Sequence, residues 1–85
     1  MQKGFNSDVT VRGQKFHVQT EDWGQKNPFV VSRIFCNGAV IKTIKTSYEA
    51  ILQAGALRES ESIKNALRRQ HADILDVLMA GKMPK

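Results

Sequence analysis

Cysteine occurs once in this chain, at Cys36, so no intrachain disulfide can brace it. Histidine occurs twice, at His17 and His71, and these with Cys36 lack the spacing of a structural zinc site. No apolar run approaches the ~20 residues that a membrane span needs. The first eight residues lack an apolar core segment, so no signal peptide is expected and a cytoplasmic location is. Repeats and low-complexity stretches are absent, and an apolar content of 41% argues against disorder outside the last few residues. At 85 residues the chain makes one domain with a thin core. Without a disulfide or a metal, association is the remaining route to extra stability. A lone cysteine in a strand also suits a reducing compartment, where it acts as a small buried hydrophobe.

The strongest local signal is Asn37-Gly38, set between the apolar, β-branched runs 29–36 and 39–46. Both turn residues tolerate the positive φ of a type I′ hairpin turn. Regular pairing across it sets Cys36 against Ala39, Phe35 against Val40, Ile34 against Ile41 and Val31 against Ile44. One face then carries Phe29, Val31, Phe35, Val40 and Ile44; the other carries Val30, Ile34, Cys36, Ala39 and Ile41. A ribbon apolar on both sides must be covered on both sides.

The first hairpin reads as strands 5–12 and 15–22 around Gly13-Gln14, a type II′ turn with glycine leading. That register sets Val11 against Phe16 and Val9 against Val18. The reverse face holds Asp8, Thr10, His17, Gln19 and Glu21 and is wet. Residues 23–28 form a loop, with Pro28 holding Asn27 extended. Ser47 caps a short helix over 48–54 that Gly55 closes. A long helix over 60–80 starts at the N-cap Ser60 and stops at Gly81, with Ile63, Ala66, Leu67, Gln70, Ile74, Val77 and Leu78 as its apolar stripe. The predicted fold is α+β: a four-stranded antiparallel β-meander of two hairpins, packed by the long C-terminal helix, with a short helix between. One helix covers one face of the sheet. The other face needs a second copy of the chain, residues 48–57 folded back, or a foreign partner, and the second copy is favoured. Phe29, Val31, Phe35, Val40 and Ile44 are its candidate surface.

Basic residues number 13 against 8 acidic, and the excess lies in the sheet half, where residues 1–48 hold seven bases and three acids. In the regular register Arg33 and Lys42 are cross-strand neighbours, a like-charge pair that an anion would relieve. Snorkelling to water is the plainer account of both. Arg68 and Arg69, beside Gln70 and His71, suggest phosphate contacts. Glu59, Glu61, Asp73 and Asp76 flank them, as on an ordinary solvated helix face. Nucleic acid is therefore the alternative partner. No enzyme chemistry is expected, because nucleophile, base and oxyanion donors cannot all be named around His17, Asp8 and Glu21. No metal or other cofactor is expected either. Trp23 either caps the open end of the sheet or anchors an interface. His17, Gln19, Glu21 and Trp23 form the candidate recognition face.

Three segments carry a resemblance: Phe16-His17-Val18-Gln19-Thr20-Glu21-Asp22; Gly38-Ala39-Val40 with Lys45-Thr46-Ser47-Tyr48; and Arg69-Gln70-His71. With them the chain resembles a group of short uncharacterised bacterial proteins. The resemblance implies no activity, but it draws weight to the wet strand 15–22. The expected function is a small non-catalytic protein–protein interaction or adaptor module, homodimeric, whose partners are itself and an unidentified protein.

Overall fold

The structure is a computed structural model and describes residues 4–52 and 59–84. Its elements follow in the order β1 (Gly4–Val11), β2 (Gln14–Asp22), β3 (Phe29–Cys36), β4 (Ala39–Ser47), α1 (Tyr48–Leu52) and α2 (Glu59–Met79). The strands form one antiparallel sheet in the order β1-β2-β3-β4, and α2 lies across one face of it. The fold is the α+β meander that the alternation and helical spacing predict. Residues 53–58, including Gly55, lie outside the described residues.

The β1–β2 turn differs from the expected one. Its central residues are Arg12 and Gly13, with φ of 51° and 82°, so it is a type I′ turn and not a type II′ turn at Gly13-Gln14. Val11 pairs with Gln14, Val9 with Phe16 and Ser7 with Val18. The pairing is slipped by two residues, which leaves every side chain on the face expected of it. Alternation alone cannot separate registers two residues apart; contacts beyond the hairpin make that choice.

The second hairpin turns at Asn37-Gly38 as expected, with φ of 54° and 78°. Cys36 pairs with Ala39 and Phe35 with Val40, but Ile34 pairs with Lys42. Ile41 is the extra residue of a β-bulge. Everything beyond it changes face relative to the regular ladder. Ile44 turns to the helix side and joins the core, while Lys45 takes the open side opposite Val31. Arg33 faces Thr43, so the expected Arg33–Lys42 pair does not form.

Ser47 Oγ accepts from the Ala50 amide at 3.1 Å and caps α1 as read. Ser60 is not an N-cap, because Glu59 is already helical. At the far end the Gly81 amide bonds to the Leu78 carbonyl at 2.9 Å and the Lys82 amide to the Val77 carbonyl at 3.1 Å. With Gly81 at φ 78° this is a Schellman stop.

The core lies between α2 and the sheet in two apolar clusters. Phe16, Val18, Ile34, Ile74 and Leu78 form one; Val30, Ile63 and Leu67 form the other, with Tyr48, Ile51 and Leu52 against it. Buried polar residues also lie on this interface: Thr20 and Ser32 on the sheet, His71 on α2. The expected stripe thus holds, with His71 added to it. Residues 48–52 pack on the helix side, so the fold-back of this segment over the open face does not occur in its described part.

Candidate binding face

Opposite α2 the sheet presents an open face, and among the described residues no helix covers it. Alternation from the observed registers brings Asp8, His17, Gln19, Glu21, Phe29, Val31, Arg33, Phe35, Val40 and Lys45 there. The candidate recognition residues and most of the candidate dimer residues therefore share one surface. Their neighbourhoods are specific. Asp8 stands directly across from His17, and the His17 Nδ1–H donates to Asp8 Oδ1 at 2.8 Å. Phe35, across from His17 on the other side, holds its ring centroid 5.8 Å from the imidazole.

Next along β3, Arg33 lies 3.9 Å from Glu21 across the ladder. Its guanidinium carbon is also 5.6 Å from the Trp23 ring centroid. Lys45 Nζ lies 5.1 Å from the same ring and 5.5 Å from that of Phe29. Arg33 and Lys45 flank Val31, one along the strand and one across it, and both reach the Trp23 ring. Val31 is 2% exposed although no helix covers it. Trp23 itself is half-buried between these two cations.

Among the candidate dimer residues, Phe29 and Phe35 are half-buried on this face, and Val40 is exposed near the turn. Val31 is sealed within the chain and Ile44 belongs to the core, so these two are removed from the surface. The two-sided apolar hairpin is satisfied internally to a degree that a regular ladder does not allow. The bulge carries Ile44 inward and Val31 is sealed, while Val40 and Ile41 stay exposed beside the turn.

The candidate anion residues do not come together. Arg33 lies on the open face, Lys42 is paired with Ile34 toward the helix side, and Arg68 and Arg69 are exposed on α2, which packs behind the sheet. His71, read as part of that basic segment, is buried instead. Its position four residues after Leu67 and three before Ile74 is the signal that places it in the stripe.

A second polar site joins the β2–β3 loop to α1. Asp22 Oδ1 accepts from the Gly24 amide at 3.0 Å and from the Tyr48 hydroxyl. Burial pushes the Tyr48 phenol up to about 12, with the bond to Asp22 and the Asp22 charge adding to it and the Gly24 amide opposing. A cleft of about 380 Å³ opens beside this pair, with Leu52 and Ser60 on its rim. The sequence reading missed the pair; a lone tyrosine at the start of a helix gives no hint of a partner 26 residues earlier.

Among the described residues no three His, Cys, Asp or Glu side chains gather as a metal site, and no helix is long and apolar enough to cross a membrane. No family model, no curated protein and no solved structure matches the chain.

Proposed function

We propose that this protein is a small non-catalytic binding module that engages another protein through the open face of its sheet, and that it pairs with itself. The reading rests on the aromatic and cationic cluster of Trp23, Phe29, Arg33 and Lys45, set on the β2–β3 loop, β3 and β4 and left uncovered by any described helix. Tryptophan and arginine at the centre of a preformed surface are the side chains that dominate protein interfaces. The exposed corner of Val40 and Ile41 extends the apolar area to the end of the sheet. Of the two histidines, His17 is tied to Asp8 in the open, and His71 is enclosed in the core against Ser7 and Thr20.

The alternative partner is nucleic acid, favoured by the net charge of +5 and by cations beside an indole on which a base can stack. Against it, Arg68 and Arg69 lie on the far side of the molecule from that cluster, so the two do not make one phosphate track. Two variants separate the readings. Replacing His17, Gln19 and Glu21 together by Thr should preserve the fold and weaken protein binding. Replacing Arg68 and Arg69 by Gln should leave protein binding intact. Loss of salt-sensitive duplex binding in the arginine variant, with the strand variant silent, gives the function to nucleic acid. For self-pairing, light scattering after size exclusion should return twice 9.5 kDa at micromolar concentration. A single-chain mass at every concentration ends the homodimer.

A further inference from the structure

The two apolar clusters are separated by a continuous hydrogen-bonded layer. Thr46 Oγ1 donates to Gln70 Oε1 at 2.6 Å, which fixes the amide so that its Nε2 donates to Ser32 Oγ at 2.8 Å. Ser32 Oγ and Thr20 Oγ1 are 2.7 Å apart, Thr20 Oγ1 is 2.7 Å from His71 Nδ1, and His71 Nε2 is 2.8 Å from Ser7 Oγ. Among the described residues every buried side-chain nitrogen and oxygen has a partner.

Counting protons decides the direction of this chain. A neutral imidazole carries one N–H. With it on Nε2, His71 donates to Ser7, and Nδ1 accepts from the Thr20 hydroxyl. Thr20 then accepts from Ser32, and Ser32 accepts from Gln70. Each of these two hydroxyls gives one hydrogen and takes one. With the hydrogen on Nδ1, Thr20 Oγ1 accepts from His71, and only one of the Thr20 and Ser32 hydroxyls can then donate across their shared contact. The hydrogen of the other has no acceptor in the layer. A second proton on His71 puts a hydrogen on Nδ1 regardless and forces the same conflict, with a charge added at a site only 5% exposed.

The surroundings offer that charge no relief. Phe5 and Ser7 meet the ring from β1 and Thr20 from β2, and none is charged. The carboxylates of Asp8 and Glu21, on β1 and β2, point to the opposite face of the sheet. On α2 itself, Arg68 and Asp73 are both exposed. His17, across β2, is a further cation when protonated.

We propose that the Ser7–His71–Thr20–Ser32–Gln70 chain is an acid-sensitive latch: a second proton on His71 reverses its bond with the Thr20 hydroxyl, strands one hydroxyl hydrogen of the Thr20–Ser32 pair and releases the middle of α2 from β1 and β2. The latch is shut near neutrality and opens along the seam between the two clusters as the medium acidifies. Burial, with opposition from His17 second, holds the His71 imidazole below its ordinary 6.5. The unfolded chain takes up the proton near 6.5 and the folded chain resists, so stability is whole above 6.5 and is lost as pH falls through the folded value.

Denaturant midpoints of the full chain from about pH 7.5 to about pH 5, above the main carboxylate range, test the latch. Wild type should hold its midpoint down to about pH 6.5 and lose it below that. His17→Gln should lose most of what wild type loses, and His71→Gln little of it. Equal loss in His71→Gln and wild type, or abolition of the loss by His17→Gln, overturns the proposal. If His71→Gln does not fold, nitrogen NMR of wild type decides. The Nε2–H tautomer should be present at neutral pH, and amide exchange in α2 should quicken as His71 titrates. An Nδ1–H tautomer, or titration with α2 exchange unchanged, overturns it.

Discussion

Tyr48 is the sole tyrosine, so phenolate absorbance during alkaline titration reports that residue alone. A midpoint at about 12 is expected, moving back toward 10 in Asp22→Asn, which removes the acceptor charge. The linked stability is whole below 10 and declines as pH rises toward 12, because the unfolded phenol ionises first. An ordinary midpoint in wild type rules out the Asp22–Tyr48 contact. At Ser32 the expectation is a loss of about 1–3 kcal/mol on Ser32→Ala, read by urea unfolding, because Gln70 Nε2 and the Thr20 hydroxyl lose their shared partner in a closed interior. Gly38 stands at φ 78°, where a β-branched residue is strained, and Gly38→Val should cost more than about 1 kcal/mol by the same assay. Gly38 was readable because a turn type makes a local demand. Ser32 and Thr20 were not, because their value depends on a histidine and a glutamine 38 or more residues away.

Among the elements, β4 depends most on a single irregularity. Phe35 pairs with Val40 and Ile34 with Lys42, so removing Ile41 leaves both pairs in register. Deletion of this 44% exposed residue should yield a folded protein with a native circular dichroism spectrum. Deletion of Thr43 should not. It shifts part of the strand by one residue against β3 and breaks the alignment of Ile44 and Thr46 with the core. If both deletions fold equally well, the bulge assignment is wrong. The hairpin was legible in its turn, its length and its first two pairs. Its second half was not, since a bulge leaves no mark in a run where every residue suits a strand. The long helix was legible nearly to its ends: the repeat from Ile63 to Leu78 and the stop at Gly81 are local in origin.

At the scale of the whole molecule, one helix on one sheet gives a core in two parts divided by the polar layer. Ile63 and Ile74 belong to different parts. Ile63→Val and Ile74→Val should each cost about 0.5–1.5 kcal/mol, and the double variant should match their sum within about 0.5 kcal/mol. A coupling above 1 kcal/mol, roughly, means that the layer transmits packing and that the core is one unit. The open face invites the corresponding test by binding. Its aromatic cluster gathers residues from the β2–β3 loop, β3 and β4, and it stands or falls with the bulge that brings Lys45 to Trp23.

The amino-acid sequence by itself determined the strands, the helices, the Asn37-Gly38 turn and which side of the first hairpin is wet. Each depends on a period of two or 3.6 residues, or on one dihedral demand, all within a few positions of chain. Tertiary structure alone decided the register of the first hairpin, the face taken by Ile44 and Lys45, and the burial of His71 and of Val31. Those outcomes are choices between local arrangements of similar energy. They were settled only when α2 offered Ser7, Thr20 and Ser32 their partners and when Arg33 and Lys45 met the Trp23 ring.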